Sequence, residues 1–132
     1  AGSRLTMIER LDHLVLTVAD VDATVAFYER VLGMRHELFG SGRSALVFGK
    51  QKLNLHQAGR EFEPKAARPT PGAIDLCLIS DWSLERILRH LAEQGIEIEE
   101  GPVLRTGALG PIESVYFRDP DGNLIEIGRY LC

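Results

Sequence analysis

The chain contains two successive stretches with the same order of apolar patterns. In the first, alternating apolar residues predict a strand at 11–18, and apolar residues at helical spacing predict a helix that ends before Gly33. Three further short runs predict strands at 35–39, 44–48 and 52–56. The second stretch repeats this order. Its expected elements are a strand at 73–79, a helix at 83–94 and strands at 97–104, 113–117 and 124–130, with a loop at 105–111.

The spacing of equivalent residues supports an internal duplication. His13 and Asp75 open the two stretches and are as far apart in sequence as Gly33 and Gly95, the residues that follow the two helices. Two βαβββ modules in an α+β fold are therefore expected. Side by side, they would form an eight-stranded curved mixed sheet around a cleft, with the helices outside.

The same pattern sets the expected domain boundaries. Module one is expected at about 8–57 and module two at about 73–131, separated by a polar linker at 58–72 that contains three prolines. Both belong to one domain spanning 7–132. Residues 1–6 precede a methionine that resembles a natural start, and we expect them to be a remnant of cloning.

Several polar residues interrupt the apolar strands at matching places. If a pseudo-twofold axis relates the modules, His13 is equivalent to Asp75 and Asn54 is equivalent to Glu126. His56 lies two residues beyond Asn54 and therefore shares its face. An imidazole and carboxylates that converge in a cleft are suitable ligands for a divalent transition metal. The pattern predicts a metal site, with either Asn54 or His56 completing it.

Each of these residues also has a purely structural explanation. His13 could be a core histidine that bonds to a carbonyl group, and Glu126 could pair with an arginine such as Arg118. Asp75 could hold His13 or a water molecule, and His56 could line a pocket or lie at a strand end in solvent. The matching contexts of His13 and Glu126 favour the metal site over these explanations.

Composition narrows the function classes. The chain has 132 residues, 45% hydrophobic and 26% charged, as is typical of one globular domain. A net charge of -4 without a basic stripe argues against nucleic acid as a partner. No apolar run approaches the length of about 20 residues that crosses a membrane. Cys77 and Cys132 do not form a disulfide framework, and a cytoplasmic location is expected.

Three segments carry a family resemblance. They are Leu-Asp-His-Leu-Val-Leu-Thr-Val at 11–18, Ala-Phe-Tyr at 26–28 before Leu-Gly-Met at 32–34, and Phe-Arg-Asp-Pro-Asp-Gly-Asn-Leu-Ile-Glu at 117–126. With these segments the chain resembles the vicinal oxygen chelate superfamily, which includes glyoxalase I, fosfomycin-resistance proteins, bleomycin-binding proteins and extradiol dioxygenases. The segment Asn-Leu-His at 54–56 makes it most similar to small, single-domain glyoxalase-like members.

The resemblance implies a metal-dependent activity. The family takes its ligands from the first and last strands of each module, which carries over to His13 and Glu126. Family members often have histidine at the position of Asp75. Glyoxalase I has glutamate at the position of Asn54. In this chain His56 is the other candidate ligand from the same strand. The resemblance implies a divalent ion (zinc, nickel, manganese or iron) and a homodimer.

The reaction expected from the resemblance is that of a glyoxalase-type lyase or isomerase acting on a small oxygenated substrate that chelates the metal. Glu126 would be the catalytic base that moves a proton, and Asn54 and Arg105 would bind the substrate.

Three other activities fit parts of the pattern. An extradiol dioxygenase would need iron held by two histidines and a carboxylate, for which His13, His56 and Glu126 are available. A fosfomycin-resistance-type transferase would need a basic, hydroxyl-rich pocket. Arg105 and its neighbours provide only a few such groups. His13 and Glu126 argue against a metal-free antibiotic-binding protein, but the two departures from the family ligands, at Asp75 and Asn54, leave this alternative open.

Overall fold

A computed structural model describes residues 6–131 and contains two helices and eight strands in this part of the chain. Residues 1–5 of the expected cloning remnant, and Cys132, lie outside the described residues. The elements are β1 (His13–Val18), α1 (Val21–Leu32), β2 (Arg35–Phe39), β3 (Arg43–Phe48), β4 (Gln51–Gln57), β5 (Asp75–Ile79), α2 (Leu84–Glu93), β6 (Glu100–Gly107), β7 (Gly110–Arg118) and β8 (Leu124–Tyr130).

The α+β fold and the two βαβββ modules are confirmed. Module one forms a four-stranded sheet in the order β1-β4-β3-β2, and module two forms a second in the order β5-β8-β7-β6. The pairs β1–β4 and β5–β8 are parallel, and all other neighbouring strands in the two sheets are antiparallel. No strand pairing joins the sheets within residues 6–131, so the eight strands are divided between two sheets.

Local sequence explains where the helices begin and end. The Asp20 side chain accepts a hydrogen bond from the Ala23 backbone N–H at 3.0 Å and so caps the start of α1. Gly33 ends α1 at φ 67°, a left-handed conformation that glycine adopts without the strain a side chain would add. Ser83 caps α2 through the Arg86 N–H, at 3.2 Å.

One hydrophobic core joins the two modules. It contains buried residues from both helices and from the inner faces of both sheets: Leu16, Val18, Val25, Tyr28, Val31, Met34, Leu46, Leu53, Leu55, Ile87, Leu91, Val115, Phe117, Ile125 and Ile127. Tyr28 on α1 donates a hydrogen bond of 2.6 Å to Asp119, which follows β7. The inner faces of both sheets are therefore covered within the chain, which leaves one open face on each sheet.

The linker predicted at 58–72 contains no helix or strand, as expected, but it is packed against module one. The ring of Phe62 makes an edge contact with His56, with 5.6 Å between ring centroids. The Arg43 guanidinium lies 4.3 Å from the centroid of the same ring. The linker thus covers one end of the open face of module one.

The segment predicted as a loop at 105–111 is a tight hairpin. Strand β6 continues to Gly107 and β7 begins at Gly110, so only two residues separate the strands. No helix in residues 6–131 has the length and apolar character required to cross a membrane.

Candidate metal site

The register of the strands determines which predicted site residues share a face. In module one Val15 lies opposite Asn54 on the parallel pair β1 and β4, so Asn54 shares a face with His13. In module two Cys77 lies opposite Glu126 on β5 and β8, and Asp75 shares their face. Each open sheet face therefore carries two of the predicted ligands, at equivalent positions.

His13 is exposed at the start of β1, and one of its ring nitrogens is engaged by a neighbouring carboxylate. Its side chain is 43% exposed, and Nδ1 is 2.8 Å from Oδ1 of Asp12. This hydrogen bond is the main reason that the pKa of the Asp12 carboxyl is lowered. With Nδ1 engaged by a carboxylate, Nε2 is left as the coordinating atom, an arrangement that is common for metal-binding histidines.

Asn54 and His56 have different surroundings on β4. Oδ1 of Asn54 is buried and has no hydrogen-bond partner in the described part of the chain. His56 is 7% exposed, lies against Phe62, and lines a cavity of about 330 Å³ under the linker. Burial lowers the pKa of His56, and the positive charge of Arg43 lowers it further. A neutral imidazole is therefore favoured at this position.

Glu126 is flanked on both sides by side chains that respond to its charge. Tyr116 lies opposite it on β7 and Cys77 lies opposite it on β5. Cys77 is exposed, yet partial desolvation and then the Glu126 carboxylate raise its pKa to about 11. Burial also raises the pKa of Tyr116, partly opposed by a hydrogen bond from Arg105.

Arg105, predicted to bind substrate, is engaged in ion pairing and hydrogen bonding. Its Nη2 atom is 2.7 Å from Oε2 of Glu100, and its Nε atom donates to the Tyr116 hydroxyl at 3.0 Å. Its charge is partly balanced by Glu100, which reduces its availability to a substrate anion.

The structure brings these residues together in two groups. His13, Asn54 and His56 lie on one sheet, and Asp75 and Glu126 lie on the other. Among residues 6–131, no three His, Cys, Asp or Glu side chains are clustered closely enough to hold a metal ion. Within one chain, therefore, each open face carries part of a ligand set.

A second cleft, larger than the cavity under the linker, lies elsewhere in the described part of the chain. It has a volume of about 480 Å³ and lies between α1, α2 and β5, with Met34, Trp82 and His90 among its walls. None of the predicted ligands, all of which are among the described residues, lines this cleft. The chemistry of the strand faces is therefore a better guide to the site than cavity size.

Tyr116 lies beside Glu126, and no reliable signal of this contact was present in the sequence. The turn Asp-Pro-Asp-Gly at 119–122 joins β7 to β8, and a tight turn fixes the register of the strands on either side. Counting outward from a four-residue turn would pair Tyr116 with Ile125, on the wrong face. The observed connection has five residues, 119–123, and this register pairs Tyr116 with Glu126. The contacts of Arg105 with Tyr116 depend on the β6–β7 hairpin, which was not predicted.

Comparison with known proteins places the chain in a family. The model of the Glyoxalase/Bleomycin resistance protein/Dioxygenase superfamily matches residues 10–127. The chain belongs to this superfamily. The expectation drawn from the three sequence segments is thereby confirmed.

Two known proteins show marked sequence similarity to this chain. Virulence protein STM3117 of Salmonella typhimurium is 56% identical over 125 residues, which cover 95% of this chain and 87% of that protein. Its crystal structure matches with a TM-score of 0.94 over 96% of this chain and 100% of that one. Glyoxalase domain-containing protein RDO1 of Mycosarcoma maydis is 56% identical over 127 residues, 96% of this chain and 72% of that protein.

A more distant similarity is to a solved enzyme structure. Lactoylglutathione lyase from Agrobacterium tumefaciens matches with a TM-score of 0.71 and 26% identity, covering 94% of this chain and 96% of that chain.

Proposed function

We propose that the protein is a metal-dependent lyase or isomerase of the glyoxalase type that acts on a small oxygenated substrate. The observation that carries this proposal is the state of His13, whose Nδ1 atom is held by Asp12 so that Nε2 is left for coordination. The similarity to a lactoylglutathione lyase supports the choice of reaction type.

The chemistry of the donors fits a divalent transition metal such as zinc, nickel, manganese or iron. His13 would supply a nitrogen, and Glu126 and Asp75 would supply carboxylate oxygens. The unpartnered Oδ1 of Asn54 is an oxygen donor that lacks a hydrogen bond, which favours Asn54 as the ligand from β4. His56 remains the alternative, but the linker and Phe62 lie over it. When bound, the metal would act as a Lewis acid toward substrate oxygens.

In the reaction, the chain itself would supply a general base, Glu126. Glu126 presents its carboxylate on the open face of β8, where it would take a proton from one substrate carbon and return it to the neighbouring carbon. No net proton is gained or lost in such a transfer. Asn54 would also contact the substrate, while Arg105 keeps the predicted substrate-binding role only if it leaves Glu100.

The ligand set is divided between two sheets, and we propose that a second copy of the chain completes it. Strands β1 and β5 are the edge strands of their sheets. Such edges present free backbone groups that favour pairing with another strand. Exposed apolar residues on these edges, Val15 and Ile79, support contact there. If β1 of one copy lies beside β5 of the other, His13 of one chain approaches Glu126 of the second copy.

The proposal is tested by metal content and turnover together. The wild-type protein, purified without chelators, should contain close to one metal ion per chain and convert a hemithioacetal substrate. Glu126→Gln should reduce kcat by at least about 100-fold, since it removes a general base. Glu113→Gln is the matched control, because Glu113 pairs with Arg129 on the same sheet, at 3.6 Å.

Two results would count against the proposal. Wild-type protein that takes up none of the four metals would favour a metal-free binding protein. Metal uptake with turnover of catechols in place of hemithioacetals would favour the extradiol dioxygenase chemistry.

A further inference from the structure

We propose that Tyr116 is a positioning residue that holds the Glu126 carboxylate, and that Arg105 and Glu100 fix Tyr116 in turn. This inference rests on the proposed function, because it gives Glu126 a role in metal binding. It concerns residues of β6 and β7, two strands that carry none of the proposed metal ligands.

The position of Tyr116 follows from the strand register. Tyr116 on β7 lies directly opposite Glu126 on the antiparallel strand β8. Side chains at such paired positions extend from the same face, with Cβ atoms about 5 Å apart. The hydroxyl of a tyrosine is therefore within reach of a glutamate carboxylate across the pair.

The hydrogen bond from Arg105 leaves the Tyr116 hydroxyl free to act as a donor. Arg105 donates its Nε–H to the Tyr116 oxygen at 3.0 Å, so the hydroxyl acts as an acceptor toward the arginine. Its own proton then remains available for a carboxylate, which can only accept. Glu126 is the carboxylate that faces it across the strand pair.

Arg105 is itself held at three points. Its Nη2 atom donates to Oε2 of Glu100 at 2.7 Å, and its Nη1 atom donates to the Leu104 carbonyl at 3.2 Å. Charge-assisted hydrogen bonds of this length are stronger than neutral ones. The series from Glu100 through Arg105 to Tyr116 therefore restricts the motion of the hydroxyl, and with it the orientation of Glu126. Partners that orient a ligand in this way commonly change metal affinity by about 10–100-fold when removed.

The test is the dissociation constant for zinc of the full-length protein, measured by competition with a chromophoric chelator. Tyr116→Phe removes only the hydroxyl and should weaken zinc binding by about tenfold or more. Arg105→Gln should weaken it in the same direction. Tyr130→Phe is the matched control, since Tyr130 is on β8 about 13 Å along the strand from Glu126 and its hydroxyl accepts from the Leu109 N–H.

A spectroscopic readout separates positioning from general stability. The visible absorption of the cobalt-substituted protein reports ligand geometry, and it should change in Tyr116→Phe and remain as in wild type in Tyr130→Phe. Zinc affinity within twofold of wild type, together with an unchanged cobalt spectrum in Tyr116→Phe, would overturn the inference while leaving the proposed function intact. Failure of the wild-type protein to bind either metal would instead overturn the proposed function, and this inference with it.

Discussion

The hydrogen bond between Tyr28 and Asp119 links the two modules, and its removal gives a quantitative test of how they pack. Tyr28 is fully buried, and its hydroxyl is 2.6 Å from Oδ2 of Asp119. Burial and the neighbouring carboxylate raise the pKa of Tyr28, so the hydroxyl remains a proton donor throughout the accessible pH range. Tyr28→Phe removes this donor and leaves the ring, so no large cavity is created.

The expected loss follows from the charge of the acceptor. A hydrogen bond to a charged group contributes about 1.5–3 kcal/mol, and Asp119 is buried where water cannot replace the hydroxyl. Asp119 keeps its other donors, the N–H groups of Asp121 and Asn123 and the Asn123 amide, so the turn itself should survive. We therefore expect the free energy of unfolding to fall by about 2 kcal/mol.

Urea denaturation followed by circular dichroism measures this change. For a slope of about 2 kcal/mol per molar urea, the midpoint should fall by roughly 1 M. Tyr130→Phe is again the control, because its hydroxyl accepts one hydrogen bond from the backbone of an exposed turn. A Tyr28→Phe protein within about 0.5 kcal/mol of wild type would refute the contact as an energetic link between the modules.

Three further predictions concern single residues. Cys77, whose pKa is raised to about 11, should react with iodoacetamide at pH 8 much more slowly than a free cysteine and faster after Glu126→Gln, as followed by peptide mass spectrometry; equal rates would contradict the raised pKa. The pKa of His56 is lower in the folded protein than its ordinary value of 6.5, so the stability from its neutral form is present above that value and lost as the pH falls toward the folded pKa. Between about pH 7 and pH 5.5, the free energy of unfolding measured by urea titration should therefore fall less in His56→Gln than in wild type. An equal fall in both proteins would argue against the lowered pKa. Gly33→Ala should cost about 1 kcal/mol in thermal unfolding through its left-handed backbone alone, because nothing lies within 4 Å of the added Cβ; an unchanged melting temperature would contradict this.

The sequence predicted the elements well because the local signals were strong. The cap residue Asp20 and the terminating Gly33 bound α1, and both were visible as helix boundary signals. Alternation also indicated that Asn54 and His56 share one face of their strand. The turn at 119–122 was also predicted correctly, and it is held by Asp119 side-chain hydrogen bonds.

The arrangement of the modules was beyond the reach of these signals. Alternation shows that one strand face is buried but does not identify what covers it, and the inner faces of both sheets share one core. The expected single eight-stranded sheet requires β1 to meet β5, and in this chain each is the edge of a separate sheet. The contact between Tyr28 and Asp119 joins residues 91 positions apart, so no local pattern could reveal it.

The placement of the candidate site residues on the open strand faces follows from the sequence, while their roles stay predictions. His13, Asn54, Asp75 and Glu126 were identified by the equivalence of two modules, which requires only strand alternation and the repeat. The neighbours that set their chemistry were not, because Tyr116 meets Glu126 through strand register. The linker over His56 was also unexpected, since a polar segment with prolines gives no indication of where it packs.

The central claim is that two copies of the chain share each metal site, with His13 from one and Glu126 from the other. The most direct measurement is the zinc content of a one-to-one mixture of His13→Gln and Glu126→Gln chains, refolded together. Each variant alone should bind little zinc, whereas random pairing should restore about one quarter of the sites, because half of the dimers carry one intact site out of two. Zinc binding by wild type with no restoration in the mixture would contradict a site shared between copies.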